Sequence, residues 1–213
     1  MSRLTRGKDD RGHDIIIAEE CKIGYTNFAG REVKTRDGKV VNAEGARNFT
    51  FDIDNEEDLN LLREESVNVK LLVNDIGDES AYESIGSVRP KVKPNFDPDP
   101  RKQSPVILIR SGIKDENGNY VEKFRKYNVN RLAELDKLSF DAADFIFGIS
   151  RRNDTHALYL NKAWLTTTYS PNPLDLKYAG MYDDDEDEEG DDIPVSEFVD
   201  TVNSNNMDEE MPF

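Results

Sequence analysis

An abrupt change in composition divides the chain and limits how much of it can form a packed core. From Gly180 to Phe213 there are 14 acidic residues and no Lys or Arg, and Asp183 to Glu189 are seven consecutive acids. Such a segment cannot bury enough apolar area to offset the entropy that ordering would cost. We therefore expect a disordered acidic tail over residues 179–213, a folded domain over residues 15–178, and a flexible N-terminus over residues 1–14.

The net charge of −16 is distributed very unevenly between the tail and the rest of the chain. Outside the tail there are 28 basic and 30 acidic residues, a net charge of only −2. Residues 89–177 hold 16 basic and 11 acidic residues, a net charge of +5. The total alone would argue against a nucleic-acid ligand, but its distribution is compatible with an anionic ligand on the second half of the folded domain.

Several classes of protein are disfavoured by what the sequence lacks. Its longest apolar runs, Ile15–Ala18 and Val106–Ile109, are far shorter than the roughly 20 residues that span a bilayer. The polar N-terminus has no apolar signal region, and the single Cys21 has no partner for an internal disulfide. Cys21, His13 and His156 do not have metal-ligand spacing, so we expect no metal or other cofactor. These features favour a cytoplasmic protein.

The hydrophobic pattern is mainly that of short strands. Period-two alternation and turn residues predict strands near residues 15–17, 48–53, 67–73, 82–93, 106–110, 120–129, 140–150 and 157–166. One short helix is predicted after Asp54, with Glu57 completing a capping box, and a second over Arg131–Leu138 with Asn130 as its cap. The fold class that fits best is a mainly β, antiparallel barrel with elaborated loops, and a sandwich is the alternative. We expect five strand phenylalanines in its core: Phe49, Phe51, Phe140, Phe145 and Phe147.

The chain ends on a motif suited to docking. In Asp208-Glu209-Glu210-Met211-Pro212-Phe213, an aromatic ring adjoins the α-carboxylate and follows a row of acids. The ring could fill an apolar pocket while basic residues of a partner bind the carboxylates. A weaker copy, Asp191–Val195, lies upstream.

This ending resembles the tail of bacterial single-stranded DNA-binding proteins, although that resemblance covers only the tail. The whole layout is similar to bacteriophage single-stranded DNA-binding proteins, which combine an enlarged OB barrel with an acidic tail ending in Phe. The resemblance implies a protein that coats and protects single-stranded DNA during phage DNA replication, recombination and repair in the cytoplasm of an infected bacterial host. It also implies that the tail recruits replication proteins such as a polymerase, a helicase or recombination factors.

The folded domain has the residue types that single-stranded DNA requires, namely cations for phosphates and aromatic faces for bases. The cations at residues 89, 91 and 93 alternate with apolar residues, residues 120–127 interleave three cations with three aromatics, and the last strand carries both types. The predicted DNA-binding residues are Arg89, Lys91, Lys93, Phe96, Lys123, Arg125, Tyr127, Arg151, Arg152, Tyr159, Lys162 and Trp164.

The tethered tail would compete with DNA for this basic surface, because tethering gives it a high local concentration. A monomer or a homodimer is compatible with this arrangement. The main alternative is an acidic-tailed chaperone or DNA mimic that binds basic proteins and not DNA. An enzyme is disfavoured, because neither Asp52 with Asp54 nor Asp141 with Asp144 has further residues that complete a catalytic site.

Overall fold

The computed structural model of the chain describes residues 3–72, 84–151 and 154–169. Within them the chain forms thirteen strands, one α-helix and one 3₁₀ helix. The strands are β1 (Arg3–Lys8), β2 (Asp14–Cys21), β3 (Ile23–Asn27), β4 (Val33–Lys34), β5 (Val40–Asn42), β6 (Arg47–Ile53), β7 (Val69–Leu71), β8 (Gly86–Val88), β9 (Lys91–Val92), β10 (Val106–Ser111), β11 (Arg125–Lys126), β12 (Phe140–Ser150) and β13 (Ala157–Thr167). The helices are α1 (Glu56–Glu64) and the 3₁₀ helix Val129–Lys137.

Eleven of these strands belong to one sheet that curls into a half-barrel. Its main path runs β1-β2-β12-β13-β9-β6-β8-β7, with β3 paired to β6, and β10 paired to both β13 and β11. Strands β4 and β5 form a separate two-stranded ribbon. The predicted fold class, mainly β with one or two short helices, is confirmed.

The last hairpin, β12 and β13, forms the centre of the sheet. The two strands pair antiparallel over their whole length, with β2 on the outer side of β12. Between the pairs Ile146↔Lys162 and Phe147↔Leu160 the register shifts, so Asn161 is an extra residue on β13. The alternating pattern predicted this hairpin almost to the residue.

The core is built around phenylalanine rings from two regions of the chain. Phe49 and Phe51 on β6 pack against Phe145 and Phe147 on β12, with centroid distances from 4.9 to 6.2 Å. All four are buried, as predicted. Phe140 is only partly buried and packs against the edge of this core.

The flexible N-terminus predicted for residues 1–14 is wrong in the described part. Strand β1 pairs with β2 from Arg3↔Glu19 to Lys8↔Asp14. Leu4 is buried, and its backbone N–H donates to Asp58 Oδ1 at 2.8 Å. The strand has few apolar residues because its other side chains are more exposed, so hydropathy did not reveal it.

Both helices are present, but with different caps from those predicted. Asn55, and not Asp54, is the N-cap of α1, and its side-chain oxygen accepts from the Asp58 N–H at 2.8 Å. The 3₁₀ helix begins earlier than expected because Asn128 caps it, accepting from the Asn130 N–H at 2.9 Å. Each helix therefore begins at a capping residue that lies one or two positions from the predicted cap.

The sheet is not purely antiparallel, contrary to the prediction. Strand β13 pairs parallel with β9 at Tyr159↔Lys91 and parallel with β10 from Val106↔Lys162 to Ser111↔Thr167. Such pairs need long connections, which here run through β11, the 3₁₀ helix and β12. One edge of β13 therefore meets β9 first and β10 afterwards.

Other strands are shorter than predicted. The strand expected over 67–73 is reduced to β7, that over 82–93 to β8 and β9, and that over 120–129 to β11. Residues 73–83 lie outside the described residues. In the described ranges, no helix is long and apolar enough to cross a membrane.

Candidate nucleic-acid interface

Aromatic rings and lysines lie on the face of β13 that points away from the core, near the point where its neighbouring strand changes from β9 to β10. Leu158, Leu160, Ala163 and Leu165 of β13 point into the core. Tyr159, Lys162 and Trp164 alternate with them and are only half-buried. On β9 the buried Val92 separates two exposed lysines, so these project from one face, as the sequence predicted.

Two ammonium groups share the ring of Tyr159. Lys93 Nζ lies 4.5 Å from the ring centroid, and Lys91 Nζ lies 5.9 Å from it. The ladder pair between Tyr159 and Lys91 fixes the two strands at this point. A ring face and two positive charges therefore stand within the span of one nucleotide.

Further along β13, Lys162 and Trp164 repeat the arrangement. Lys162 Nζ lies 4.4 Å from the centroid of the Trp164 ring. Asp144, the ladder partner of Trp164 on β12, uses Oδ1 to accept from the Glu20 N–H at 2.8 Å. Its carboxylate therefore has a structural partner on the neighbouring strand.

A third cluster lies at the end of β10 and was missed by sequence reasoning. The guanidinium carbon of Arg110 is 3.4 Å from the Tyr120 centroid and 4.2 Å from that of Phe124. Arg110 Nε also donates to Thr166 Oγ1 of β13 at 3.1 Å. The interleaved stretch 120–127 pointed to these rings, but nothing local in the sequence linked them to Arg110.

Two more cation–ring pairs lie on strands beyond β9. Arg47, at the start of β6, approaches the exposed Phe96 ring at 5.4 Å. Arg89, just after β8, approaches the exposed Tyr25 ring of β3 at 5.8 Å. Arg89 and Phe96 were predicted, whereas Arg47 and Tyr25 were not, because their partners lie far away in the sequence.

These contacts have a common character. Of the eight aromatic side chains that the described residues leave at least partly exposed, six have a cation over or beside the ring. None of the seven cations forms an ion pair with a carboxylate within the described part of the chain. They are Arg47, Arg89, Lys91, Lys93, Arg110, Lys114 and Lys162. We call these cations and the six rings the cation–ring surface.

Tyr127, a predicted stacking residue, instead belongs to the core. Its side chain is 6% exposed, and its hydroxyl donates to the Arg131 carbonyl oxygen at 3.0 Å. Burial raises the pKa of Tyr127 to about 12. Tyr127 directly follows the two exposed residues of β11, and its buried ring cannot receive a base.

Arg151 is also bound within the protein. Its guanidinium contacts Asp14 at 2.6 Å and Glu65 at 3.2 Å, linking the last hairpin to β2 and to the end of α1. Hydrogen bonds from Lys8 and Arg151 lower the pKa of Asp14 to about 2. With both carboxylates ionised, Arg151 is a structural cation and not a free phosphate ligand.

The remaining predicted residues divide into two groups. Lys123 and Arg125 are exposed, with no ring contact among the described residues. Arg152 and the tail residues Asp208, Glu209, Glu210, Met211, Pro212 and Phe213 lie outside the described residues.

We find no group of three or more His, Cys, Asp or Glu placed to hold a metal ion in residues 3–72, 84–151 and 154–169. Cys21 is buried, and its burial raises the pKa of the thiol. A buried neutral thiol is a core side chain and a poor nucleophile.

Comparison with known proteins gives distant similarities. No protein-family model and no curated protein matches the chain. Among solved structures, the single-stranded DNA-binding protein from bacteriophage Enc34 is similar with a TM-score of 0.39 and 10% identity, covering 85% of this chain and 99% of that one. Its C-terminal truncation gives a TM-score of 0.39 and 8% identity, covering 80% and 97%. Its complex with ssDNA gives 0.36 and 10%, covering 79% and 98%. At this distance the similarity carries no functional argument, and the proposal below rests on the side chains of this chain.

Proposed function

We propose that this chain is a single-stranded DNA-binding protein that binds without sequence preference. The observation that carries the proposal is the cation–ring surface, where exposed rings are each accompanied by cations that have no carboxylate partner among the described residues. Unpaired bases stack on such rings because every base has an aromatic face, and the adjacent cations bind the phosphates. Paired bases in a duplex cannot offer those faces.

The contrast between paired and unpaired cations supports an anionic ligand. Arg6, Arg131 and Arg151 each have a carboxylate oxygen at 2.6 to 2.7 Å and serve the fold. The cations of the cation–ring surface lie beside rings and have no carboxylate partner among the described residues, although Arg110 Nε donates to Thr166 Oγ1. A polyanion that releases its counterions on binding would gain affinity from every such contact, most strongly at low salt.

The wider role that we propose is coating and protection of single-stranded DNA during phage DNA replication, recombination and repair, in the cytoplasm of an infected bacterial host. Residues 179–213 would compete with DNA, and the ending Asp208–Phe213 would recruit a polymerase, a helicase or recombination factors. The charge distribution supports the competition between tail and DNA, with 14 acids in the tail against a net charge of +5 in residues 89–177.

The test is a titration of the full chain with oligo-dT, followed by fluorescence of Trp164, the only tryptophan in the sequence. Stacking of a base on Trp164 should quench its emission, and raising the salt should weaken the binding. A duplex of the same length serves as the control. Binding to a basic protein with no response to oligo-dT would favour the acidic-tailed chaperone or DNA mimic and refute this proposal.

A further inference from the structure

Beside Tyr159, a polar cleft adjoins the cation–ring surface. It has a volume of about 520 Å³ and is lined by Lys93, Ser104, Ser150, Tyr159, Leu160 and Asn161. Small-molecule sites usually have about 300–1,000 Å³ and combine an apolar wall with a few polar groups. The apolar wall here is the tyrosine ring, since Leu160 points into the core, and the polar groups are two hydroxyls, an amide and an ammonium.

Asn161 is placed in this cleft by a local irregularity of the sheet. It is the extra residue of the β13 bulge, and bulges commonly redirect a side chain. Gly148 on β12, the ladder partner of Tyr159, lies beside this amide, and a Cβ added there would lie 3.1 Å from Asn161 Nδ2 and 3.4 Å from Oδ1. The Asn161 amide can therefore occupy this position because residue 148 has no side chain.

The Asn161 amide is exposed and makes no hydrogen bond within the described residues. An amide offers one acceptor and two donors next to each other. Each of the four bases presents a neighbouring donor and acceptor on its Watson–Crick edge, so a rotating amide can pair with any of them. Such a contact adds affinity while leaving binding tolerant of sequence.

Charge determines which part of a nucleotide enters. A second cleft shares Ser150, Tyr159 and Asn161 with the first, and Asp9, His13 and Asp14 also line it. Asp14 is paired with Lys8 and Arg151, and Asp9 contacts His13, whereas Lys91 and Lys93 lie beside the Tyr159 ring with no carboxylate partner among the described residues and attract a phosphate. The base edge therefore points toward Asn161 and the backbone passes the lysines.

We infer that the cleft beside Tyr159 is a nucleobase subsite, in which one unstacked base of a single strand lies on Tyr159 and is hydrogen-bonded by Asn161. This inference rests on the proposed function and adds a base-edge contact to it. On entry of the base, the flexible Lys93 side chain moves from the ring to the adjacent phosphate.

The test compares Asn161→Ala with the control Asn130→Ala, which alters an exposed asparagine on the 3₁₀ helix. Binding to oligo-dT and to an abasic oligomer of equal length is measured at low salt. The Asn161 variant should bind oligo-dT about three- to tenfold more weakly, as expected for one lost hydrogen bond, with an unchanged salt slope. On the abasic oligomer it should match the unaltered chain, and the control should match on both.

Gly148→Ala provides a second variant, because its Cβ would displace the amide without removing it. It should show the same base-dependent loss, with unchanged thermal unfolding. An equal loss on abasic DNA, or no loss on oligo-dT, would overturn the subsite. If the unaltered chain bound no oligo-dT at all, the proposed function itself would fail.

Discussion

Tyr159 on β13 and Lys91 on β9 are parallel ladder partners, and the Lys91 ammonium lies 5.9 Å from the tyrosine ring centroid. The backbone thus fixes an aromatic face beside a positive charge before any ligand arrives. A preorganised pair loses less conformational freedom on binding than two independent side chains would. This relationship makes Tyr159 the first residue to test.

Tyr159→Ala should weaken binding of oligo-dT by about 1–3 kcal/mol, the usual loss for a stacking aromatic. Tyr169→Ala is the matched control, since Tyr169 is 46% exposed and has no cation beside its ring among the described residues. Fluorescence titration of Trp164 measures both. Equal losses in the two variants would contradict a specific role for Tyr159.

Replacing Lys91 and Lys93 together by Ala should reduce the salt dependence of DNA binding. Each lysine that contacts a phosphate contributes about one unit to the slope of log K against log salt, so the slope should fall by about two. Lys34→Ala is the control, because Lys34 is bound to Glu32 at 2.7 Å. An unchanged slope in the double variant would show that neither lysine meets a phosphate.

Deleting residues 180–213 should tighten binding of oligo-dT at low salt and have little effect at high salt, where charges are screened. The deletion removes all 14 tail acids that would compete with DNA. Deleting Asp208–Phe213 alone removes only three of them and should hardly change the affinity. The idea of competition fails if the long deletion binds no better than the full chain at low salt.

Arg151→Ala should lower stability and not DNA affinity, because Arg151 is bound to Asp14 and Glu65. The pKa of Asp14 is lowered to about 2, so its stabilising effect is complete above about pH 4 and is lost as the pH falls toward 2. The variant should unfold at lower urea at pH 7 and lose less stability between pH 4 and 2.

The control for that measurement is Arg101→Ala, in which the lost cation is 90% exposed and pairs with its near neighbour Asp99. Its urea midpoint should stay close to that of the unaltered chain at every pH. An Arg151 variant with the same acid profile as the unaltered chain would show that the ion pairs with Asp14 and Glu65 are unimportant.

Tyr127→Phe should cost about 0.5–1.5 kcal/mol, since it removes a buried hydrogen bond to the Arg131 carbonyl oxygen. In the unaltered chain, the unfolded state ionises near pH 10 while folded Tyr127 ionises at about 12. Stability should therefore fall between these values, and the phenylalanine variant should lack that part of the loss. Urea unfolding at pH 8, 10 and 11.5 measures the difference.

Strand bounds and core residues were predicted most accurately where hydrophobic residues alternate regularly along a strand. Strands β12 and β13 alternate buried and exposed residues, so their bounds and their core phenylalanines could be read directly. Strand β1 escaped notice because only Leu4 among its side chains is buried. Periodicity indicates which face a residue occupies but not which strand lies beside it, so the parallel neighbours of β13 were not foreseen.

Sequence reasoning predicted individual residues of the candidate site but not the contacts between them. Lys91, Lys93, Tyr159, Lys162 and Trp164 were each selected from composition and spacing. Whether a cation is available to a ligand depends on carboxylates far away in sequence. Arg151 meets Asp14 across 137 positions, a contact that no local pattern reveals.

The position of β13 also governs when the molecule becomes competent during synthesis. Lys91, Lys93 and Arg110 leave the ribosome well before the strand that carries Tyr159, Lys162 and Trp164. On β2, the Glu20 N–H cannot form its hydrogen bond until Asp144, 124 positions later, has been synthesised. Contacts so distant in sequence form slowly and late. A growing chain that has reached only His156 has six of the seven cations of the cation–ring surface but lacks β13, which carries Lys162 and pairs with β9 and β10, so we expect full binding capacity only close to the completion of the sheet.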